Sequence, residues 1–341
     1  AAPNPVATNS NGEMESPRVA IYRQYLTMCI ARARGSRPAG SPHSLPDLTW
    51  RALRTLETIA VEMLSQGRWQ LPWQVVRDTA GRCPGPVGDT ADIVGRLVVR
   101  GHLPCRLEST DDAAQFCFAH KTIAEYLAAT ALWQRPRAVL GCIRRPFSRL
   151  ELGVVRWFAD IGSRDVTRRA IVCGGLLVDE VQSHGRAAAK TVSRGTVTPD
   201  VALVKGDDAV IASDANVASS TGNAAAAPSD AAVTEGLDAA IASNAMALVA
   251  ATGYPLDGTD LADCRIADGN LRHATFAGSH LSGATFRRCE LHDGDFSFAN
   301  ISDAAFVDCS FGEVRKLEGH TRSVTAVSVT PDGRHVVSGS A

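Results

Sequence analysis

The chain has 341 residues, enough for two or three domains. Its 35 basic and 36 acidic residues balance, which argues against a bulk electrostatic attraction to nucleic acid or to a membrane surface. The nine cysteines form no Cys-x-x-Cys pair, so they indicate reduced thiols of a cytoplasmic protein rather than a zinc site or a disulfide framework. Because no run of about 18 apolar residues occurs, no membrane span is predicted.

The first part of the chain is predicted to be mainly helical. Residues 1–15 are small and polar, so we expect them to be disordered. Over 16–135, a Ser-Pro step supplies an N-cap and a first-turn proline, and Asp47 is placed to cap a second helix. A third helix, an alternating stretch at 115–120 typical of a hairpin, and a further helix follow. This order favours a winged-helix module.

The middle of the chain has a weaker pattern. Residues 136–185 contain helical stretches and are predicted to form a helical extension. Residues 186–250 contain 20 alanines in 65 positions and no aromatic side chain, so we expect them to bury little apolar area. We therefore interpret most of 186–250 as an Ala-rich linker, whose last part, from 237 to 251, forms a helix that leads into the next domain.

Residues 254–313 follow a five-residue period. A large apolar residue recurs at every fifth position, twelve times. Neither an α-helix nor a flat strand explains this period, whereas a square coil with one pentad per side does. Four pentads per coil give three coils stacked at roughly 4.8 Å, with residues 20 apart in ladders. The predicted core residues are Leu256, Leu261, Ile266, Leu271, Phe276, Leu281, Phe286, Leu291, Phe296, Ile301, Phe306 and Phe311.

This pattern resembles the pentapeptide-repeat family, and the resemblance implies a right-handed quadrilateral parallel β-helix. One expected ladder joins Leu256, Phe276 and Phe296, and the phenylalanines concentrate toward the C-terminal end. Cys289 and Cys309 are expected to stack as buried thiols rather than as a bridge. The polar positions hold ten acidic and four basic residues, which we interpret as a solvated outer face. We expect the solenoid to serve packing or binding rather than catalysis.

The segment 118–129, FAHKTIAEYLAA, resembles the F-x-H-x-T/S-x-x-E-Y/F-L/F-A-A signature of NACHT-type (STAND-class) signal-transducing NTPases. In that family the signature closes the winged-helix domain, and the resemblance covers about residues 18–135. It implies that His120 reaches the ADP phosphate of the closed state, as a donor beside the positive end of a helix. The alternative is that His120 caps its own helix or packs in the core.

The sequence contains no standard phosphate-binding loop. The motif G-x-x-x-x-G-K-S/T needs a Gly-Lys step, and none of the four lysines follows a glycine. The nine histidines do not cluster with Cys, Asp or Glu at metal-ligand spacing, and no G-x-S-x-G elbow occurs. We therefore predict no catalytic residue, no metal and no cofactor in this chain. ATP or ADP is implied only for a longer parent whose ATPase domain lies upstream.

Residues 317–341 resemble the first half of a WD repeat. A Gly-His pair at 319–320, alternating valines and a Pro-Asp-Gly turn at 331–333 fall at the spacing of that family, while the Trp-Asp ending is absent. The expected structure is a truncated β-propeller blade, since a propeller needs at least about four blades. The alternative is an unrelated hairpin. Because the chain lacks an initial Met and stops inside this pattern, we expect a fragment of a larger protein.

Together the resemblances predict a multidomain chain with a winged-helix module, a pentapeptide-repeat β-helix and the start of a propeller. The first hypothesis is a non-catalytic regulatory and protein-interaction section of a NACHT-type nucleotide switch, with the repeats as sensor or scaffold. Homo-oligomerisation is then expected for the parent. The second hypothesis is a localisation module of an unrelated multidomain enzyme, and the third is a stand-alone adaptor. Protein partners are expected, whereas nucleic acid and membrane are not.

Overall fold

The computed structural model describes residues 16–34, 45–82, 105–107, 114–147, 151–194, 230–312, 319–330 and 336–340. The predictions for residues 1–15, for the centre of the linker at 195–229 and for the Pro-Asp-Gly turn at 331–333 lie outside these ranges. The described residues form a helical N-terminal region, a stack of short parallel strands and a C-terminal hairpin.

The N-terminal region combines helices with a small antiparallel sheet. Its elements are α1 (Pro17–Arg34), α2 (Leu45–Gln66), β1 (Gln70–Pro72), α3 (Trp73–Gly81), β2 (Cys105–Leu107), β3 (Gln115–Phe118) and α4 (Lys121–Gln134). β3 is the central strand, and the order is β1–β3–β2. Helix α1 begins at Pro17, as the Ser-Pro step predicts. The predicted cap at Asp47 is wrong, because α2 begins two positions earlier and Asp47 lies within it.

A second set of helices follows the sheet. These are α5 (Pro136–Leu140), α6 (Leu152–Gly162), α7 (Val166–Arg169), a π-helical segment (Ala170–Leu177), α8 (Val178–Arg194) and α9 (Asp230–Ala251). The helical extension predicted for 136–185 is therefore present, but its boundary is wrong. Helix α8 continues to Arg194 because residues 186–190 are Arg, Ala and Lys, which have high helix propensity.

An aromatic cluster joins α1, α4 and α6. The ring centroid of Trp157 lies 4.6 Å from that of Tyr22 and 5.2 Å from that of Tyr126. The Arg18 guanidinium lies 3.8 Å from the Trp157 ring centroid, and its Nη1 donates to Asp160 Oδ2 at 2.9 Å. Since Trp157 is fully buried, this contact fixes the position of α1 against the rest of the helical region.

The interpretation of 186–250 as mostly linker is wrong for residues 186–194, whereas the helix expected at its C-terminal end is present. Helix α8 occupies positions up to 194, and α9 begins at 230, earlier than the predicted helix at 237–251. The two helices pack against each other, and several of their alanines are buried. Small side chains let helices approach closely, so a helix face without large residues still becomes a packed interface. The argument from side-chain size failed for this reason.

Residues 254–312 form a coil with a 20-residue repeat. Strands β4 (Arg265–Ala267), β5 (Thr285–Arg287) and β6 (Ala305–Val307) pair in parallel, each with the strand 20 residues away. Backbone hydrogen bonds follow the same spacing on other sides of the coil. Leu261 N–H donates to the His280 carbonyl at 2.8 Å, and Leu281 N–H donates to the Asn300 carbonyl at 2.8 Å. Residues 20 apart are therefore stacked neighbours, as the period predicts.

The large apolar residues of the first two coils are enclosed, whereas the last coil is not covered. All eight predicted core residues from Leu256 to Leu291 are buried. Phe276 stacks on Phe296 with ring centroids 5.0 Å apart, and Phe286 stacks on Phe306 at 5.2 Å. The prediction that Ile301 and Phe311 are interior is wrong, because no coil of the described residues stacks on them and they are 51% and 44% exposed. We call Phe296, Ile301, Phe306 and Phe311 the open end.

The first coil is joined to the helical region through α8 and α9. Helix α9 contacts both α6 and β4, and one hydrophobic cluster extends from α1 to the coils. Buried Ser243 accepts a hydrogen bond from Ala267 N–H at 2.8 Å. Buried Asn244 accepts from Phe147 N–H at 2.7 Å and donates to the Arg145 carbonyl at 2.9 Å. The solenoid and the helices therefore share one core.

The C-terminal hairpin has two described strands, β7 (Val324–Val329) and β8 (Val336–Ser340), which pair antiparallel. His320 Nε2 lies 2.8 Å from Ser338 Oγ, which joins the segment that precedes β7 to β8. The described side chains from position 321 to position 328 are exposed. Within the described residues, the hairpin therefore has an uncovered surface.

Replacing a stacked phenylalanine by aspartate should unfold the solenoid. In Phe286→Asp, a charge without a partner enters the ladder between Ile266 and Phe306, so we expect a loss of several kcal/mol and a melting transition lowered by about 10 °C or more. In Arg288→Ala, two positions away, the changed side chain is exposed and the cost should stay below about 1 kcal/mol. Thermal unfolding of the full chain compares them, and equal melting temperatures would contradict the register.

Asn244→Ala tests the junction between α9 and the helical region. It removes both hydrogen bonds of a buried amide and leaves the Phe147 N–H and the Arg145 carbonyl without that partner, which should cost about 2–3 kcal/mol. Asn300→Ala is the control, since this exposed amide accepts its two bonds, from Ser302 N–H and Ser302 Oγ, within its own turn. Urea unfolding measures both variants. A small, equal effect would mean that the Asn244 contacts contribute little.

Candidate functional site

The corners of the coils share one backbone conformation. Every fifth residue from Gly253 to Asp308 has a positive φ. Glycine or aspartate occupies nine of these twelve corners, as expected for a turn position in the left-handed region. The three exceptions are His273, Arg288 and Phe298. The sequence reasoning predicted the core positions but not these corners, although Gly and Asp recur there at the same five-residue spacing.

Two of the exceptional corners are held by contacts between coils. Arg288 Nε and Nη2 donate to the two carboxylate oxygens of Asp268, each at 2.7 Å. These hydrogen bonds raise the pKa of Arg288. His273 Nδ1 lies 3.6 Å from Asp293 Oδ2. Phe298 has no comparable contact, because its side chain is 93% exposed. The outer surface is thus a mixed-charge face with one exposed aromatic corner.

A groove of about 830 Å³ lies between α6 and the outer surface of the coils. One wall is apolar and includes Phe147, Val155 and Ala251, while the opposite wall includes the Asp268–Arg288 pair. Such a volume lies in the range of ligand-binding clefts, and boundaries between structural units are common places for them. The residues that line the groove include no hydroxyl, thiol or imidazole group. Its chemistry therefore suits binding.

The comparison with protein families identifies the coiled segment. The family model of pentapeptide repeats matches residues 256–293 and 270–312, with eight copies of the repeat. Residues 256–312 are pentapeptide repeats. No curated protein and no solved structure matches the chain. Pentapeptide repeats indicate a β-helix-like segment that serves as a protein-interaction or scaffold module, and this agrees with the binding character of its surface.

The thiols of the pentapeptide repeats are structural. Cys289 Sγ donates to the Ile266 carbonyl at 3.7 Å, and Cys309 Sγ donates to the Phe286 carbonyl at 3.3 Å, so each bonds the coil before it. Both cysteines are free, as expected, but Cys289 is buried whereas Cys309 is only partly buried. Burial raises the pKa of Cys289 to about 12 and that of Cys264 to about 11. These two thiols remain protonated at neutral pH, which makes them poor nucleophiles and poor metal ligands.

His120 lies at the N-terminus of α4, in the helical region and apart from the repeats. Its Nδ1 accepts a hydrogen bond from Thr122 N–H at 3.3 Å and lies 2.8 Å from Thr122 Oγ1. The Tyr22 hydroxyl lies 2.9 Å from the same Thr122 oxygen. Because Nδ1 is the acceptor, a neutral His120 has its proton on Nε2, on the other side of the exposed ring. His120 thus caps its own helix and still has a donor directed away from it.

A smaller cavity of about 480 Å³ opens beside the start of α4. Lys121 Nζ lies 5.1 Å from the ring centroid of Trp69 and 3.2 Å from Glu125 Oε1. Trp69 Nε1 has no hydrogen-bond acceptor among the described residues. The cavity has a cation and an indole N–H near the residue that the sequence singled out, and both are groups that bind anions or carbonyl oxygens.

The described part of the chain contains neither a candidate metal site nor a candidate membrane-spanning helix. No group of three or more His, Cys, Asp or Glu side chains within it could hold a metal ion. Among the helices of the described ranges, none combines the length and the apolar character that crossing a bilayer requires.

His120→Ala tests the cap that the structure shows. Without the imidazole acceptor, Thr122 N–H loses its partner in the first turn of α4, so we expect a loss of about 1 kcal/mol in the free energy of unfolding. Asparagine is a strong N-cap residue, so His120→Asn should restore most of that loss. Urea unfolding of the full chain measures all three proteins. If the asparagine variant were as unstable as the alanine variant, the cap would not explain the effect.

Proposed function

We propose that this chain is a non-catalytic regulatory and protein-interaction section of a NACHT-type, nucleotide-dependent signalling switch. In this proposal the pentapeptide repeats bind a partner, and the helical region is the winged-helix end of a nucleotide-binding unit that lies upstream in a longer parent. The observation on which it depends is the shared core of the two parts, because a partner bound to the repeats then acts on the helical region through packed side chains.

The helical region supports the winged-helix interpretation. Along the chain, α2 is followed by β1, α3, β2 and β3, and the sheet order is β1–β3–β2. Phe118, the first residue of the signature segment, ends β3, and residues 121–129 belong to α4, so His120 lies between strand and helix. His120 and Lys121, at the start of α4, are exposed, so a neighbouring domain can reach them.

The geometry of His120 supports a role toward a phosphate. Its Nδ1 is occupied by the helix cap, its exposed ring has Nε2 available as a donor, and the positive end of α4 lies beside it. ADP or ATP, when bound to the parent, supplies the phosphate charge. His120 contributes one hydrogen bond that favours the closed arrangement, and the other nucleotide contacts come from the upstream domain.

The repeats support the sensor part of the proposal. The 20-residue spacing of their hydrogen bonds fits four five-residue sides per coil, and therefore the quadrilateral solenoid. The groove beside α6 offers a mixed apolar and charged lining at the point where the repeats meet the helices. A partner that enters this groove contacts both parts at once, so its binding energy differs between a closed and an open arrangement.

The C-terminal hairpin supports a further repeat unit that begins at residue 319. Its two strands follow the Gly-His pair, and His320 Nε2 lies 2.8 Å from Ser338 Oγ across them. A two-stranded hairpin is marginally stable on its own. A WD-repeat propeller that continues from it would add strands to this pair and complete the blade.

Two alternatives belong to other functional classes. In the first, an unrelated catalytic domain of the parent uses this section only for localisation. In the second, the section is a stand-alone adaptor that scaffolds other proteins. A Walker A loop upstream in the parent favours the switch, whereas another catalytic motif there favours the localisation module. Absence of ADP and ATP binding by the parent favours the adaptor.

The test is the rate at which a fluorescent ADP analogue leaves the parent protein. Deleting residues 254–341 should accelerate release by about 5- to 150-fold, the usual range of allosteric coupling, because the repeats hold the closed state. His120→Asn should also accelerate release, although it preserves the helix cap. His320→Ala, in the hairpin, is the matched control and should change release little. Unchanged release in both the deletion and the asparagine variant would contradict the proposal.

A further inference from the structure

Phe298 occupies a corner where the other coils have glycine. Residues 20 apart stack, so the column of this corner is Gly258, Gly278 and Phe298, all with positive φ. A phenylalanine in the left-handed region is strained, whereas glycine adopts it freely. The strain is not offset by burial, because the Phe298 side chain is 93% exposed. Folding of the coils does not explain this residue, but contact with another surface would.

Phe298 lies at the rim of a larger apolar surface. The open end leaves Ile301 and Phe311 half-exposed, and Val307 on β6 is 42% exposed. The outer edge of β6 also has no neighbouring strand among the described residues. At the opposite end of the solenoid, helices α8 and α9 cover the first coil. One end is thus closed by this chain, and the other end has the composition of a surface that requires a cover.

The charge around the open end restricts what covers it. Residues 293–312 make up the last coil and contain four aspartates with no lysine, arginine or histidine. A matching surface therefore has apolar side chains together with positive charge. The hairpin meets both requirements, since residues 319–340 contain two arginines and two histidines against one aspartate. Its valines at 324, 327 and 337 are exposed.

The distance along the chain favours the hairpin over a separate molecule. Residues 313–318 join the last coil to the hairpin, and so short a connection reaches at most about 25 Å. A connection of this length gives an effective concentration in the millimolar range, far above the micromolar concentration of a second copy in solution. The hairpin therefore meets the open end first, even if its intrinsic affinity is weak.

We propose that the open end, with Phe298 at its rim, is the docking surface of the hairpin Gly319–Ser340 of the same chain. The structure shows the undocked arrangement, in which both surfaces are exposed. In the docked arrangement, the hairpin covers Ile301, Phe306 and Phe311, and the Phe298 ring packs on a valine face. Docking ends the solenoid and protects the hairpin, which is marginal alone. It is independent of any nucleotide switch.

Amide hydrogen exchange of the full chain, followed by mass spectrometry, tests this docking. The probe is the set of peptides from residues 319–340. In Phe298→Gly, which copies Gly258 and Gly278, these amides should exchange at least about tenfold faster than in the unmodified chain. The repeats themselves should melt at the same or a higher temperature, because the corner strain is removed. The control is Val166→Ala, which shortens an exposed apolar side chain on α7, away from the open end.

A second variant and a mass measurement make the result decisive. Val327→Thr should also accelerate exchange in the hairpin, and combining it with Phe298→Gly should add nothing further, because both act on one contact. Light scattering should give a monomer for every variant. Equal hairpin exchange in the unmodified chain and in Phe298→Gly would overturn the proposal. So would a dimer that Phe298→Gly dissociates, since a second copy would then cover the open end.

Discussion

The burial of helix α9 is the constraint on which the arrangement of this chain depends. Every residue from Ala240 to Ala250 is buried, so the helix is enclosed on all sides rather than along one stripe. The helical region lies against part of its surface, and the first coil of the repeats lies against the rest. Ser243 and Asn244, the polar residues in this stretch, each bond backbone groups of those neighbours. A polar residue at these positions is tolerated only because its partners are fixed.

The same enclosure explains which parts of the fold could be predicted from the sequence. The repeat register was predictable, because each large residue meets its stacked neighbour at a fixed separation of 20 and needs no other information. The role of α9 was not, because an alanine-rich helix has no amphipathic pattern when it is buried all round. Its surroundings come from α6, α8 and β4, which are distant in sequence. The exposure of Ile301 and Phe311 was missed for a related reason. These residues occupy the same position in the five-residue period as the enclosed core residues, and they differ only in that no described coil covers them.

The candidate sites show a similar division. The sequence singled out His120 either as a phosphate contact or as the cap of its own helix. In the structure His120 caps the helix through Nδ1, and this geometry is compatible with both roles. The groove beside α6 was not predictable, because Phe147, Val155 and Asp268 come together only after α9 places the helices against the coils. Phe298 was predictable in principle. Its corner differs from Gly258 and Gly278 in the sequence itself, but the meaning of that difference requires its φ of 59° and its exposure.

The two ends of the repeat solenoid differ in how they are covered. Their first coil is fixed to the helical region by Ser243, Gly185 and the packing of Cys264 against α8, so it has no freedom to exchange partners. Their last coil presents the rings of Phe296 and Phe306, each of which stacks on a ring of the coil before it and, among the described residues, on none of a coil beyond it. Stacking energy in a solenoid is additive between neighbouring coils, so an unfilled last position is the place where association gains most. A surface that covers that end would therefore lengthen the packed core that begins at α1.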